Sequence, residues 1–227
     1  MSNENVFTGI TQFDETTGGL KPGELTVITG RTAMGKTALA LSMLINKKTT
    51  TQFLYISLGE TISQLNPRLK KMTGWQSGDG PLTDHSHQGK YESGYNTEHK
   101  RQPIFYMNCP SLLDLQECIS REASWTFNAV IIDSLYYIGA KPKEVFGKKS
   151  HNQLFRHIKT IAMLINKPII LFADANRIIE KKPLKGAPLL RHYSRIKHVD
   201  LLFHLFRWEY YGMEWDKWDD RPVDEGD

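Results

Sequence analysis

Eight consecutive residues, Gly30-Arg-Thr-Ala-Met-Gly35-Lys36-Thr37, carry the densest chemistry in the chain. Their spacing, G-x-x-x-x-G-K-[ST], is that of a phosphate-binding loop. Gly30 and Gly35 allow a tight turn, and Arg31, Thr32, Ala33 and Met34 complete a backbone cradle whose amides point inward at phosphate oxygens. Lys36 brings a point charge to the β- and γ-phosphates, and the Thr37 hydroxyl is a ligand for Mg²⁺. A helix starting at this point adds the positive end of its dipole. Such a loop needs a second acidic group to hold the metal. Ala129-Val-Ile-Ile-Asp133 supplies one, four apolar residues ending in a carboxylate at the edge of a strand, where open α/β sheets bind ligands. ATP and Mg²⁺ are the expected cofactors. Lys36 and Asp133 are expected in the catalytic set, with Thr37 and Asp133 on the metal.

Those residues must be held by regular elements. Leu25–Thr29, Phe53–Ser57, Ile104–Met107, Ala129–Asp133, Ile169–Ala173 and Leu201–Phe206 are short, nearly continuous apolar runs, as strands buried on both faces are. Helical patterns fall between them. Lys36 to Asn46 is apolar almost all round, which predicts a buried helix. Leu112, Leu115, Ile119 and Ala123 step by 3, 4 and 4, with Ser111 and Asp114 spaced as a capping box. Leu154, Ile158, Ile161 and Ile165 step by 4, 3 and 4. The alternation predicts an α/β fold with a mainly parallel central sheet flanked by helices. One domain is expected over residues 1–212. Residues 75–102, with Leu82 as the only aliphatic side chain, read as a mobile surface insertion, and 213–227 as an acidic tail of net charge −5.

Composition narrows the class. Of 227 residues, 40% are hydrophobic and 24% charged, which excludes collagen-like, low-complexity and wholly disordered chains. No apolar run reaches the length of a membrane span, and the polar N-terminus shows no signal-peptide core. Cys109 and Cys118 are too few for a disulfide framework and fit a reducing cytoplasm, the expected location. The net charge of +4 is unevenly spread: Lys141 to Lys159 holds +5 and Arg177 to Lys197 holds +6, leaving −7 elsewhere. Two basic stretches on such a chain point to a polyanion.

Taken together, the motifs resemble a known family. Thr8-Gly-Ile-Thr-Gln-Phe-Asp14, Gly18-Gly-Leu-Lys-Pro-Gly-Glu-Leu25, the phosphate loop with Met34, Ser57-Leu58, Gln64-Leu65, Arg68-Leu69, Asp133, Asn176-Arg177 and Phe206-Arg-Trp-Glu-Tyr-Tyr211 follow the order found in the ATPase domain of DnaB-type replicative helicases. The resemblance implies a RecA-like P-loop NTPase core. It implies hexameric rings that pull single-stranded DNA through a basic channel at the expense of ATP, in DNA replication. It also places the basic stretches in the channel, with Lys141, Lys143, Lys148 and Lys149 after the Asp133 strand and Lys181, Lys182, Lys185, Arg191 and Arg195 after the next one. Contacts there would be to phosphates and indifferent to base.

Four departures from the family pattern bear on activity. Its catalytic glutamate follows Ser-Leu directly, whereas here Gly59 stands there and the acid is Glu60. Along a strand, a one-residue shift turns a side chain to the other face unless a bulge restores it. The family's phosphate-sensing glutamine is Asp174, a carboxylate that would repel phosphate unless metal-bound or protonated. The Lys-x-Arg fingers expected near the end and the N-terminal collar domain are also missing, so slow hydrolysis and a monomer or weak oligomer are expected, with rings requiring nucleotide, DNA or a full-length helicase partner. The rival reading is a degenerate ATP-binding regulator or helicase partner, a switch in the manner of KaiC-like ATPases.

Overall fold

The computed structural model describes residues 4–46, 48–73, 83–85, 91–95, 104–107, 112–122, 127–134, 148–174 and 197–207. Within them the order is α1 (Thr11–Thr17), β1 (Leu25–Gly30), α2 (Lys36–Ile45), β2 (Phe53–Ser57), α3 (Ile62–Thr73), β3 (Thr83–His85), β4 (Tyr91–Tyr95), β5 (Ile104–Met107), α4 (Leu112–Glu122), β6 (Ala129–Asp133), α5 (Lys148–Ile165), β7 (Ile169–Asp174) and β8 (Leu201–His204). The strands form one sheet in the order β3-β4-β5-β2-β6-β7-β1-β8. From β5 to β8 every pairing is parallel, as the apolar strands predict.

Strand periodicity sorts the core into two layers. Leu25 and Val27, Leu54 and Ile56, Val130 and Ile132, and Ile169 and Leu171 face α4 and α5, where they meet Leu115, Ile119, Ile158 and Ile161. Their neighbours Ile28, Phe53, Tyr55, Ile131, Ile170 and Phe172 face α2 and α3, against Leu41, Leu44, Leu65 and Leu69. Such alternation on a two-sided sheet leaves no polar face, hence the unbroken apolar runs. Cys118 is buried in the first layer as a core residue.

Several expectations are revised. Helix α2 buries Lys36, Ala40, Leu41, Met43 and Leu44 but leaves Ala38 exposed, because it lies on one face of the sheet and is not enclosed. Strand β8 ends at His204, although the Leu205 amide still donates to Thr29 O at 2.6 Å. Two strands form within the segment read as an insertion: β4 pairs antiparallel with β5 and β3 with β4. Tyr91 and Tyr95 favour strand geometry, and the outer edge of β5 offers an unpaired ladder. Helix α3 is a further addition. Ile62, Leu65, Leu69 and Met72 step by 3, 4 and 3, but Pro67 falls inside the pattern. Thr61 and Gln64 start this helix, the Gln64 side chain accepting from the Thr61 amide at 2.9 Å. Lys148 and Lys149 lie in the first turn of α5, not in a loop. Ser111, of the expected capping box, lies outside the described residues.

The N-terminal segment is tied to the far end of α2. Asp14 accepts from the Thr8 and Gly9 amides at 2.8 Å each, and Asn46 donates through Nδ2 to Gly9 O at 2.7 Å. Gly9 has φ 81°, and a Cβ there would lie 2.6 Å from the Asn46 carboxamide, so only glycine fits.

Candidate nucleotide site

The carboxyl ends of β1, β2, β6 and β7 bring the candidate residues together. Gly30 pairs in register with Asp174, and Ser57 with Asp133. Between β1 and α2 the chain passes through two left-handed positions, Ala33 at φ 69° and Gly35 at φ 93°. Gly35 caps α2, a conformation a side chain would strain, and the Gly35 carbonyl accepts the first helical bond from Leu39 at 2.8 Å. Such turns alternate with right-handed residues to form amide-lined concavities suited to anions. Thr32 and Ala33 are exposed, Met34 is buried beneath the loop, and Arg31 is partly buried.

Lys36 is buried at the start of α2. Its Nζ donates to the Gly30 and Arg31 carbonyls at 2.8 Å each and meets Asp174 Oδ1 at 2.6 Å. Asp174 is thus the ion-pair partner of the loop lysine, a role distinct from the metal-bound or protonated carboxyl that its position alone suggests.

Asp133 is buried at the end of β6, and burial raises its carboxyl above the ordinary range. Hydrogen bonds from the Thr37 and Tyr55 hydroxyls, and the charge of Lys36, pull the other way, while Glu60 adds to the rise. The Tyr55 hydroxyl donates to Asp133 Oδ2 at 3.0 Å, and burial together with this carboxylate pushes the phenol well up. Thr37 and Asp133, expected to share a metal, therefore touch each other. A hydroxyl and a carboxylate beside a phosphate cradle are the hard oxygen donors Mg²⁺ takes, so the residues fit that ion.

Glu60 lies near enough to Asp133 and Tyr55 for its charge to raise the pKa of both. The Ser57 hydroxyl donates to Glu60 O at 2.6 Å and accepts from its amide at 3.2 Å, closing a turn beyond β2. Glu60 Oε1 accepts from Arg68 Nη1 of α3 at 2.9 Å, while Oε2 is buried without a hydrogen-bond partner. On β8, His204 Nδ1 lies 3.0 Å from Thr29 Oγ1, and burial with the nearby Lys36 charge lowers its pKa. Tyr55, Arg68 and His204 are not singled out as site residues by their sequence context. Two carry a signal: Arg68 belongs to the family-like Arg68-Leu69 pair, and Tyr55 stands two residues before Ser57, on the same face of β2. Of the basic set, Lys148 and Lys149 open α5, whereas Lys141, Lys143, Lys181, Lys182, Lys185, Arg191 and Arg195 lie outside the described residues.

A parallel sheet with a phosphate cradle after β1 and an acidic strand end at β6 defines a RecA-like P-loop domain. The family of DnaB-like helicase C-terminal domains matches residues 5–222, and the chain belongs to it. It is 28% identical over 187 residues to the replicative DNA helicase DnaB of Rhodothermus marinus, covering 77% of this chain and 20% of that one. It is 26% identical over 217 residues to a probable replicative DNA helicase of Trieres chinensis, covering 90% and 48%. The chain thus spans half or less of the curated relatives it matches. In fold it resembles a solved ATPase domain, with TM-score 0.68 and 19% identity over 96% of this chain and 80% of that one. It also resembles a DnaB-like replicative helicase whose structure was described with its interactions with primase, at TM-score 0.67 and 18% identity over 99% and 55%. Among the described residues no helix is long and apolar enough to cross a membrane.

Proposed function

We propose that this chain binds ATP with Mg²⁺ and hydrolyses it to move along single-stranded DNA, as the motor domain of a replicative helicase in the cytoplasm. The observation that carries this reading is the convergence of Lys36, Thr37, Asp133 and Glu60 at one edge of the sheet. The loop amides and the start of α2 bind the phosphates, and Lys36 neutralises them. Held by Thr37 and Asp133, Mg²⁺ would draw negative charge from the phosphate oxygens. Tyr55 and Thr37 orient Asp133. Glu60 presents Oε2 to the attacking water and takes its proton, while Arg68 fixes Oε1. Lys141, Lys143, Lys148, Lys149, Lys181, Lys182, Lys185, Arg191 and Arg195 hold the strand by its phosphates, in a ring of identical subunits or with a full-length helicase.

One observation favours the rival reading of a nucleotide-binding regulator: the Lys36–Asp174 pair, which opposes phosphate binding. Steady-state ATP hydrolysis with and without single-stranded DNA decides between them. The motor reading expects slow turnover that DNA stimulates and Glu60→Gln removes. Nucleotide binding without turnover, with or without DNA, assigns the chain to the regulator class.

A further inference from the structure

The Lys36 ammonium has three protons, and three oxygens of this chain surround it: two loop carbonyls and Asp174 Oδ1. The carbonyls of Gly30 and Arg31 belong to the phosphate loop itself. Asp174 belongs to another strand, and it alone of the three carries charge. Its place is set by topology, because β7 lies beside β1 with Asp174 opposite Gly30. The lysine side chain is 9% exposed, so water cannot readily replace the carboxylate there. We propose that Asp174 is a specificity-determining charge gate, which withholds Lys36 from phosphate and sets the discrimination between nucleoside di- and triphosphates.

The inference rests on the nucleotide-binding reading above and goes past it. A phosphate oxygen gains Lys36 only by taking the place of one of those three oxygens, and Asp174 is the one free to exchange. Once displaced, the carboxylate still lies at the pocket and repels each added negative charge. Neither Arg68 nor Asp133 offsets it: Arg68 is engaged with Glu60, and Asp133 is itself a carboxylate. A triphosphate carries one more negative charge than a diphosphate, so the gate acts against it more strongly.

Calorimetric titration of the full chain with ADP and ATP, in Mg²⁺ and separately in EDTA, tests the gate. Asp174→Asn, which keeps the shape and removes the charge, is expected to bind ATP about tenfold more tightly, the low end for a charge-assisted contact because Asp174 is 33% exposed. ADP should tighten less, and the gain should persist in EDTA. Asp174→Gln should give the same sign, which separates charge from local packing. In a Lys36→Ala background the part of the gain that comes from freeing Lys36 should be lost, leaving only the smaller part due to relieved repulsion. Unchanged or weaker ATP binding in both Asp174 variants overturns the gate, as does a gain that loss of Lys36 leaves undiminished. If wild type binds nucleotide and Asp174→Asn gains nothing, the gate alone fails. If no form binds, the nucleotide reading fails with it.

Discussion

Replacing Tyr55 with Phe removes one oxygen and little else, because the ring stays in a fully buried slot of the second core layer. What is lost is the 3.0 Å hydrogen bond to Asp133 Oδ2. A hydrogen bond to a charged group contributes about 1.5 to 3 kcal/mol, against roughly 0.5 to 1.5 for a neutral pair. The deficit of Tyr55→Phe should therefore be about 1.5 to 3 kcal/mol when Asp133 is ionised and smaller when it is protonated. The sign with pH follows from the raised carboxyl, which owes its shift first to burial. The folded state keeps the proton to higher pH than the unfolded chain does. Asp133 thus costs stability as pH rises from the ordinary carboxylate range through its raised folded pKa, and the cost is constant above that. The Tyr55 hydroxyl holds this rise down, so its removal extends the window upward. Urea denaturation followed by circular dichroism, in chelator at about pH 5 and pH 8, measures the difference. A deficit equal at both pH values, or larger at the acidic one, would refute the assignment of Tyr55 to the ionised carboxylate.

Lys36→Ala should weaken ATP binding by roughly tenfold to a hundredfold, read by calorimetry, since it removes a charge-assisted phosphate contact; equal affinities would refute the role. Arg68→Ala should lower the hydrolysis rate while leaving ATP affinity within about twofold, because Arg68 meets Glu60 and not the loop. Its refutation is a wild-type turnover rate in the variant. Replacing Lys181, Lys182 and Lys185 together with Ala should flatten the salt dependence of single-stranded DNA affinity by about two logarithmic units per decade, followed by fluorescence anisotropy. An unchanged slope removes those side chains from the DNA.

The parallel strands were legible because burial on both faces leaves an unbroken apolar run, as in Phe53–Ser57 and Ala129–Asp133. The loop was legible because its chemistry is local, eight residues with fixed spacing. The partnerships were not. Tyr55 and Asp133 are 78 positions apart and meet only because β2 and β6 pair in a particular register. Lys36 and Asp174 meet because β7 is inserted beside β1, an order that no run of residues encodes. Read one residue at a time, Asp174 was a misplaced charge; beside Lys36 it is half of a pair. Past Ser57 the chain turns, so strand alternation gives no direction for the Glu60 side chain. Helix α3 was hidden by Pro67, and β3 and β4 by their polar composition.

Helix α2 is also a strut. Ten residues at about 1.5 Å each set its two ends roughly 15 Å apart, the phosphate loop at one and Asn46 at the other. Asn46 is clasped to Gly9, and Gly9 to Asp14 of α1, while the Thr49 and Thr51 hydroxyls donate to Phe7 O at 3.0 and 2.7 Å. Close-packed interiors have low compressibility. The Asn46 carboxamide fills the space a Cβ at Gly9 would need, so the two residues are in close contact. Hydrogen bonds thus connect the far end of α2 to Gly9 and on to Asp14 of α1, whose Phe13 also packs on Phe203 of β8. The candidate phosphate loop and the N-terminal segment are therefore mounted on opposite ends of one rod.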